Sequence, residues 1–478
     1  MTDNQSAGST VLDFDLVILG TGSGNSLISH EMRDWRIAIV ERGVFGGTCL
    51  NRGCIPSKML IYTADVASTI KHSAKYGVHG TFDRADWPAI RDRVFGRIDP
   101  IAEGGRAYRH SNDNVTVFEG DAHFVGERTL EIGGQRIRGT QVVIAAGARS
   151  FIPEIPGLVD GPYQTSDTVM RLDRLPEHLI VLGGGFIAAE LGYVFSSLGS
   201  RVTIINRSKR LLMAEDAEIS QRYTEVAHDL FDEVLLGTAV HRVVHGEGGV
   251  SVEVSNDAGS RTIEGDVLLV ATGRRANGDQ LNGAAAGIRV NGDGHVVVDH
   301  FGQTSAPQVW ALGDVNGRHQ LKHMANGEAK VVHHNLLNPD DLRVLDTRPA
   351  PHAVFTSPQI GAVGLTEQQA RMSGRPISVI THEYAGAAYG WALEDTTSFA
   401  KLIGDPVTRK LVGVHILGYQ ASMLTQQLVQ GMHLGNTVDE LATGQIWIHP
   451  ALNEVVEQAL LALIEEFDRF SPASHPSA

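Results

Sequence analysis

Cysteine is almost absent from this sequence: its 478 residues hold two, Cys49 and Cys54, five apart, and no others. That rules out a disulfide framework, and a closed zinc site would need two further ligands nearby, whereas the surrounding "GGTCLNRGCIPSK" offers neither a His nor a third Cys. A cationic excess is also missing. The formal charge is −15 and no block of Lys and Arg occurs; a nucleic-acid partner needs a basic surface that releases counterions, so DNA and RNA are not expected ligands. Nor does any stretch approach the ~18 uninterrupted apolar residues of a membrane span, and the amino-terminal "MTDNQSAGSTVLDF" carries acid without the apolar core of a secretory signal. The expected location is the cytoplasm. Structural disulfides are rare there, so a close cysteine pair points to redox or metal chemistry.

What is plentiful is glycine. Fifty-three glycines in a chain of this length suit about three domains joined through many tight turns between strands and helices. Two stretches echo one another: "DLVILGTGSGNS" at 15–26 and "LIVLGGGFIAAE" at 179–190 each run from an apolar strand through a glycine-rich turn into helix-compatible residues. Each precedes a second β-rich run, "RIAIVER" at 36–42 and "RVTIINR" at 201–207. Two dinucleotide-binding βαβ units follow from this pattern. The strand-like "VVIAAGAR" and "LLVATGRR", ending near Gly147 and Gly273, come at similar distances after the two turns and reinforce the duplication.

The units differ at the residue expected to read the ribose. Glu41 ends the second strand of the first unit about 20 residues beyond Gly20, where a carboxylate accepts from a ribose 2′-hydroxyl, as FAD or NAD requires. In the second unit that position is Asn206, followed by Arg207, Lys209 and Arg210, which suits a 2′-phosphate and therefore NADPH. The first fingerprint, Gly20-x-Gly22, has Asn25 at its third glycine position; Gly24 and Ser26 flank it and are expected to share its packing role. The second, Gly183-x-Gly185-x-x-Ala188, is regular. Further on, "TSAPQVWALGDV" at 304–315 reads as a short strand ending in Gly313-Asp314, an acid able to bond a flavin's ribityl chain. Beyond residue 350, short β-rich runs give way to helical patterns, the last of them "LNEVVEQALLALIEEF", and the tail "SPASHPSA" has the composition of disorder.

Assembled in this order, the chain resembles the class I pyridine nucleotide-disulfide oxidoreductases. The resemblance runs nearly the whole length and rests most specifically on "GGTCLNRGCIPSK". It implies an α/β fold with two Rossmann-like dinucleotide-binding domains and a carboxyl-terminal α+β dimerisation domain. The expected divisions are FAD at 1–156, NAD(P)H at 157–283, a central segment at 284–350 completing the FAD site, and an interface domain at 351–478. It implies electron flow from NADPH through FAD to the Cys49–Cys54 pair, with Cys54 against the flavin and Cys49 attacking a substrate disulfide. Lys58, one helical turn beyond Cys54, would pair with Glu190 near the flavin's reactive edge. His449, oriented by Glu454, would act as acid and base from the other subunit of a homodimer, although "HPALNE" carries Ala451 where relatives often have Thr. Expected FAD contacts are Gly20, Gly22, Ser23, Gly24, Glu41, Gly47, Thr48, Lys58, Gly147 and Asp314. Expected NADPH contacts are Gly183, Gly185, Phe186, Ile187, Glu190, Arg207, Arg210 and Gly273. The expected substrate is mycothione, the disulfide of a cysteinyl pseudo-disaccharide thiol, on the strength of "GTGSGNS", "WIHPAL" and "EVVEQALL". The alternatives are glutathione disulfide, whose reductases commonly carry an arginine where this chain has His30, and lipoamide. A second redox pair near the end of the chain, as in mercuric and large thioredoxin reductases, is excluded by the cysteine count.

Overall fold

In the computed structural model, which describes residues 11–470, the apolar run at the start becomes the strand Val11–Leu19 at the heart of a seven-stranded sheet. Its parallel neighbours are Ile37–Glu41 and Gln135–Ile144; Val115–Glu119 extends the sheet beyond the former. Such a strand is covered on both faces and must be apolar throughout. Leu16 and Ile18 accordingly pack with Leu27, Met32 and Trp310 on one side, while Val17 and Leu19 pack with Leu130, Ile137 and Val142 on the other. The short strand read in "QVWA", Val309–Ala311, returns from far along the chain to pair with Gln135–Ile144. It brings Asp314 to the same sheet edge as the first glycine turn.

The second unit repeats the plan in four parallel strands, with Arg201–Ile205 and Val267–Val270 flanking His178–Leu182, and Glu233–Leu235 outside. The two units share one local device. Gly20 and Gly183 both have positive φ, and a side chain at either would collide with a carbonyl of the neighbouring parallel strand, Ala145 or Ala271 respectively. Only glycine permits that close passage.

After the turn the units diverge. The second turn opens a regular helix, Phe186–Leu198. The first leads only into short 3₁₀ segments, Ser23–Leu27 and His30–Met32, and the helix expected there does not form. The cause is a contact from a distant segment: the Asn25 side chain and carbonyl are taken by buried Arg109, whose Nε donates to Oδ1 at 2.7 Å and whose second nitrogen donates to the carbonyl at 2.8 Å. The close approach normally assigned to the third glycine falls to Gly24, where a Cβ would sit 2.8 Å from that of Ala145.

Beyond residue 350 lies a five-stranded antiparallel sheet, with Gln359–Gly364, Lys410–Gly418 and Phe399–Asp405 at its centre, covered by the helices Ala421–Leu434 and Asn453–Arg469. Buried Lys401 fastens this sheet to the second unit through Asp216 at 2.9 Å and Glu218 at 3.2 Å, and pairs within its own region with Glu367 at 2.7 Å. No helix among the described residues is long and apolar enough to cross a membrane. The sequence "SPASHPSA" lies outside the described residues.

Candidate active site: a dithiol at the wall of a dinucleotide cavity

A cavity of about 700 Å³ opens beside the first glycine turn, a size typical of cofactor pockets. Its walls come from segments distant in sequence, among them Gly20 to Ser23, Glu41, Gly46 to Cys49, Arg52 to Cys54, Ser57 and Lys58, Ala145 to Arg149, Phe186, Ile187, Glu190 and Leu191, and Leu312 to Asp314. The cysteines enter on adjoining elements. Cys49 lies in the short helix Gly47–Asn51, and Cys54 begins the helix Cys54–His72 directly after Gly53. Both thiols are free; Cys49 is half-buried and Cys54 exposed toward the cavity.

Their surroundings make them unequal. The Cys49 thiol donates to the Cys54 sulfur, and with Lys58 one turn along the helix this holds Cys54 down to about 7, below the usual thiol value near 8.5. Donating that hydrogen bond, together with burial, pushes Cys49 well up. The first proton therefore leaves Cys54.

Lys58 donates to both carboxylate oxygens of Glu190, at 2.9 and 2.7 Å. Glu190 is buried and also accepts from the Phe355 backbone N–H at 2.9 Å, while Lys58 stands 4.7 Å over the Phe355 ring. A buried carboxylate with these partners is fixed in place and charge-matched. It sits where the second unit's helix reaches the cavity, with Phe186, 49% exposed, beside it.

At the far end, Glu41 accepts from Thr21 through the backbone N–H at 2.9 Å and the hydroxyl at 2.6 Å, and from the Gly43 N–H at 2.8 Å. A carboxylate has about four acceptor positions, so it is oriented without being exhausted. Asp314 presents a carboxyl whose pKa burial raises, backed by Glu328, which accepts from the Gly313 N–H and the Asn316 amide at 2.7 and 2.9 Å. Ser166 keeps a buried hydroxyl without a partner among the described residues at this wall. Gly22 and Gly47 pass so closely that a Cβ on Gly47 would lie 2.6 Å from the Gly22 Cα, which leaves bare backbone at the turn. Bare turn, ribose-facing acids and an unpartnered hydroxyl are what a flavin dinucleotide requires, and the residues present fit it.

Of the sequence-derived residues, the structure brings Gly20, Gly22, Ser23, Glu41, Gly47, Thr48, Cys49, Cys54, Lys58, Gly147, Phe186, Ile187, Glu190 and Asp314 to this cavity. Gly24 is buried behind it. Gly183, Gly185, Arg207, Arg210 and Gly273 belong to the second turn outside its walls. There Asn206 is turned inward, its amide donating to the carbonyls of Ser208 and Arg210 at 3.1 and 2.9 Å. Arg210 donates to the Ala217 carbonyl at 2.9 Å, whereas Arg207 is exposed and makes no ion pair with another described residue. His449 and Glu454 also lie away from the cavity. The imidazole Nδ1 is 2.6 Å from Glu454 Oε1, with 73% of the histidine side chain exposed. That bond lowers the Glu454 pKa; an ionised carboxylate can only accept, so Nδ1 carries the hydrogen and Nε2 remains the basic nitrogen. Sequence reasoning missed Arg109, Ser166 and Lys322, which stand in no motif.

Two dinucleotide turns, the first walling a cavity that contains a polarised dithiol and a Lys–Glu pair, define a nucleotide-dependent dithiol redox protein. Comparison narrows the class. Residues 14–329 match the family described as pyridine nucleotide-disulphide oxidoreductase, and residues 350–460 match that family's dimerisation domain. The chain is 48% identical over 462 residues to mycothione reductase of Mycobacterium tuberculosis H37Rv, covering 94% of this chain and 99% of the relative. It is 31% identical to mercuric reductase of Staphylococcus aureus, covering 90% and 79%. Among solved structures, the HOCl-induced flavoprotein disulfide reductase RclA of Escherichia coli superposes with a TM-score of 0.82 at 29% identity, covering 94% of this chain and 99% of that one. The chain belongs to the pyridine nucleotide-disulphide oxidoreductases, enzymes of FAD and NAD(P)H.

Proposed function

We propose that this enzyme reduces mycothione to two molecules of mycothiol with NADPH, as a cytoplasmic homodimer whose active sites each draw on both subunits. The observation that carries the substrate is the 48% identity to a mycothione reductase along virtually the full length of both chains, joined to a cavity holding the required dithiol. His30, exposed where a glutathione-type site would carry a cation, supports the same reading: a buried carboxylate left without its partner is costly, whereas a neutral sugar needs only hydroxyl and amide contacts. Arg207, exposed and without a carboxylate, supports NADPH. The dimer rests on the match to the dimerisation domain and on an exposed His449 that needs a second copy to meet a cysteine.

Bound FAD supplies the acceptance of a hydride from the nicotinamide and the delivery of an electron pair. The chain's own residues do the rest. Lys58 and Glu190 would hold the flavin's reactive edge charge-balanced, and Phe186, 49% exposed at the cavity, would cover the nicotinamide. In the reduced pair Cys54 holds the negative charge and Cys49 the proton. His449 of the partner subunit takes that proton as Cys49 attacks one sulfur of the substrate; a mixed disulfide forms, the substrate S–S bond breaks, and the departing thiolate receives the proton back. Cys54 then attacks the Cys49 sulfur, the second thiol leaves with a proton from solvent, and the Cys49–Cys54 disulfide is restored. Two electrons leave the dithiol and two thiols are released.

The test is NADPH oxidation with mycothione, glutathione disulfide, trypanothione and lipoamide at equal concentration. Mycothione should lead in kcat/KM by at least about 10²-fold. Comparable turnover of glutathione disulfide or lipoamide would replace this reading with a broader disulfide reductase or a lipoamide dehydrogenase-like activity.

A further inference from the structure

Six lysines and arginines line the cavity: Arg42, Arg52, Lys58, Arg149, Arg274 and Lys322. Four are already neutralised, Arg42 by Asp121 at 3.7 Å, Arg52 by Asp167 at 3.5 Å, Lys58 by Glu190 at 2.7 Å and Arg149 by Asp279 at 2.8 Å. Arg274 and Lys322 have no carboxylate within ion-pair distance among the described residues; Arg274 donates one of its five N–H groups to the Ala148 carbonyl and sits in the strand Arg274–Ala276 rather than at the glycine turn. Lys322 stands at the glycine turn itself. It opens the helix Lys322–Leu337, and its ammonium donates to the Ser23 hydroxyl at 2.9 Å.

That contact decides what the turn can offer an anion. The Ser23 hydroxyl, accepting from Lys322, directs its own hydrogen toward Asn326 Oδ1 at 3.4 Å, so it has no proton left to donate. The ammonium has three hydrogens and uses one on Ser23. Two remain, held at the position where a dinucleotide's diphosphate meets its fingerprint. The need for a charge here follows from the fold. A fingerprint ordinarily neutralises the diphosphate with the dipole and free N–H groups of a long helix, but the five-residue Ser23–Leu27 segment is 3₁₀ and provides little of either. We propose that Lys322, positioned by Ser23 and Asn326, is a diphosphate-binding residue of the FAD site, supplying the positive charge that the shortened helix does not.

The proposal rests on FAD occupying this cavity, and the measurement separates the two claims. Dissociation constants for FAD and for riboflavin are measured by fluorescence quenching on cofactor-stripped protein, for the wild type and for Lys322→Gln, Lys322→Met and Lys322→Arg. If wild-type protein binds neither, the flavin reading itself fails. If Lys322 binds the diphosphate, Lys322→Gln weakens FAD by about 10- to 100-fold, the range of one charge-assisted bond, while riboflavin, which lacks phosphate, stays within about twofold. Lys322→Arg retains most of the FAD affinity, and added salt weakens FAD less in Lys322→Gln than in the wild type. Equal losses for FAD and riboflavin would place the lysine against the flavin ring or give it a structural role, and unchanged FAD affinity would leave it no role in binding; either result overturns the proposal. Lys322→Met preserves the aliphatic stem and carries the same test if Lys322→Gln does not fold.

Discussion

At Gly20 and at Gly183 the chain makes the same backbone move, passing in a left-handed turn beneath the carbonyl of its parallel neighbour. What surrounds the two turns is different. The first is enclosed by segments from many distant parts of the chain and faces an acid, Glu41, already oriented by three bonds. The second is open; it carries an inward-turned Asn206 and an exposed Arg207 in place of an acid, and its helix reaches the cavity through Phe186, Ile187, Glu190 and Leu191. The shared turn explains why both halves accept a dinucleotide, and the surroundings explain the division of labour. An enclosing wall suits a cofactor retained through turnover, and an open one suits a cofactor that arrives and leaves.

The strongest way to sharpen this contrast is to disable the first region's chemistry and ask whether the second still works. Cys49→Ser should lower disulfide turnover by at least about 10³-fold yet leave NADPH-driven reduction of an artificial electron acceptor within a few-fold; parallel loss of both would mean the thiol is structural. The same dithiol gives a pH dependence. Because Cys54 sits at about 7, below an unfolded thiol near 8.5, its thiolate stabilises the reduced fold fully above that higher value. The contribution is lost as pH falls through 7. Ultraviolet thiolate absorbance of the reduced protein should show one proton leaving near pH 7 and none from Cys49 until well above 9; a single two-proton step near 8.5 would contradict the asymmetry.

His449→Ala comes next in size. Hydride acceptance from NADPH should stay near normal under stopped-flow while disulfide turnover falls about 10²- to 10⁴-fold. A smaller but more selective effect belongs to the second turn: Arg207→Ala should reduce kcat/KM for NADPH about 10- to 100-fold, the worth of one or two charge-assisted bonds, and leave NADH almost untouched. An equal loss with both nucleotides would assign Arg207 to the fold and remove the distinction between the units.

Much of this was legible in the sequence because it resides in short-range pattern. The duplicated turns, the cysteine spacing, the short strand at Val309–Ala311 and the final helix follow from apolar runs and glycine positions, whereas the pairing of that strand with the first sheet does not. The Lys58–Glu190 and His449–Glu454 pairs were reachable only through the family's motif order, since either would otherwise read as surface charge. What stayed hidden depends on contacts between distant segments. Arg109 meets Asn25 across 84 residues and Lys322 meets Ser23 across 299, and neither pair has a local signature. The 3₁₀ segment after the first turn was hidden for the same reason, because its cause lies in Arg109 rather than in its own residues.

The smallest expected effect tests that cause. Asn25→Gly would restore the regular glycine fingerprint and so make the two turns more alike in sequence. Gly24 already provides the close approach, however, and the substitution deletes the Oδ1 that accepts from Arg109 while keeping the carbonyl. A guanidinium that is 7% exposed, with its pKa lowered by burial, would lose one of its two acceptors on Asn25, at a cost of about 1–3 kcal/mol, and glycine's extra chain freedom adds about 0.5–1 kcal/mol in the same direction. The apparent midpoint of thermal unfolding should fall by a few degrees, on the order of 2–6 °C, with NADPH affinity unchanged because the second turn is untouched. Arg109→Met on the Asn25→Gly background should recover part of the loss by removing the stranded charge. If Asn25→Gly instead raises the midpoint, Arg109 is not what holds the first turn away from the helix its counterpart forms.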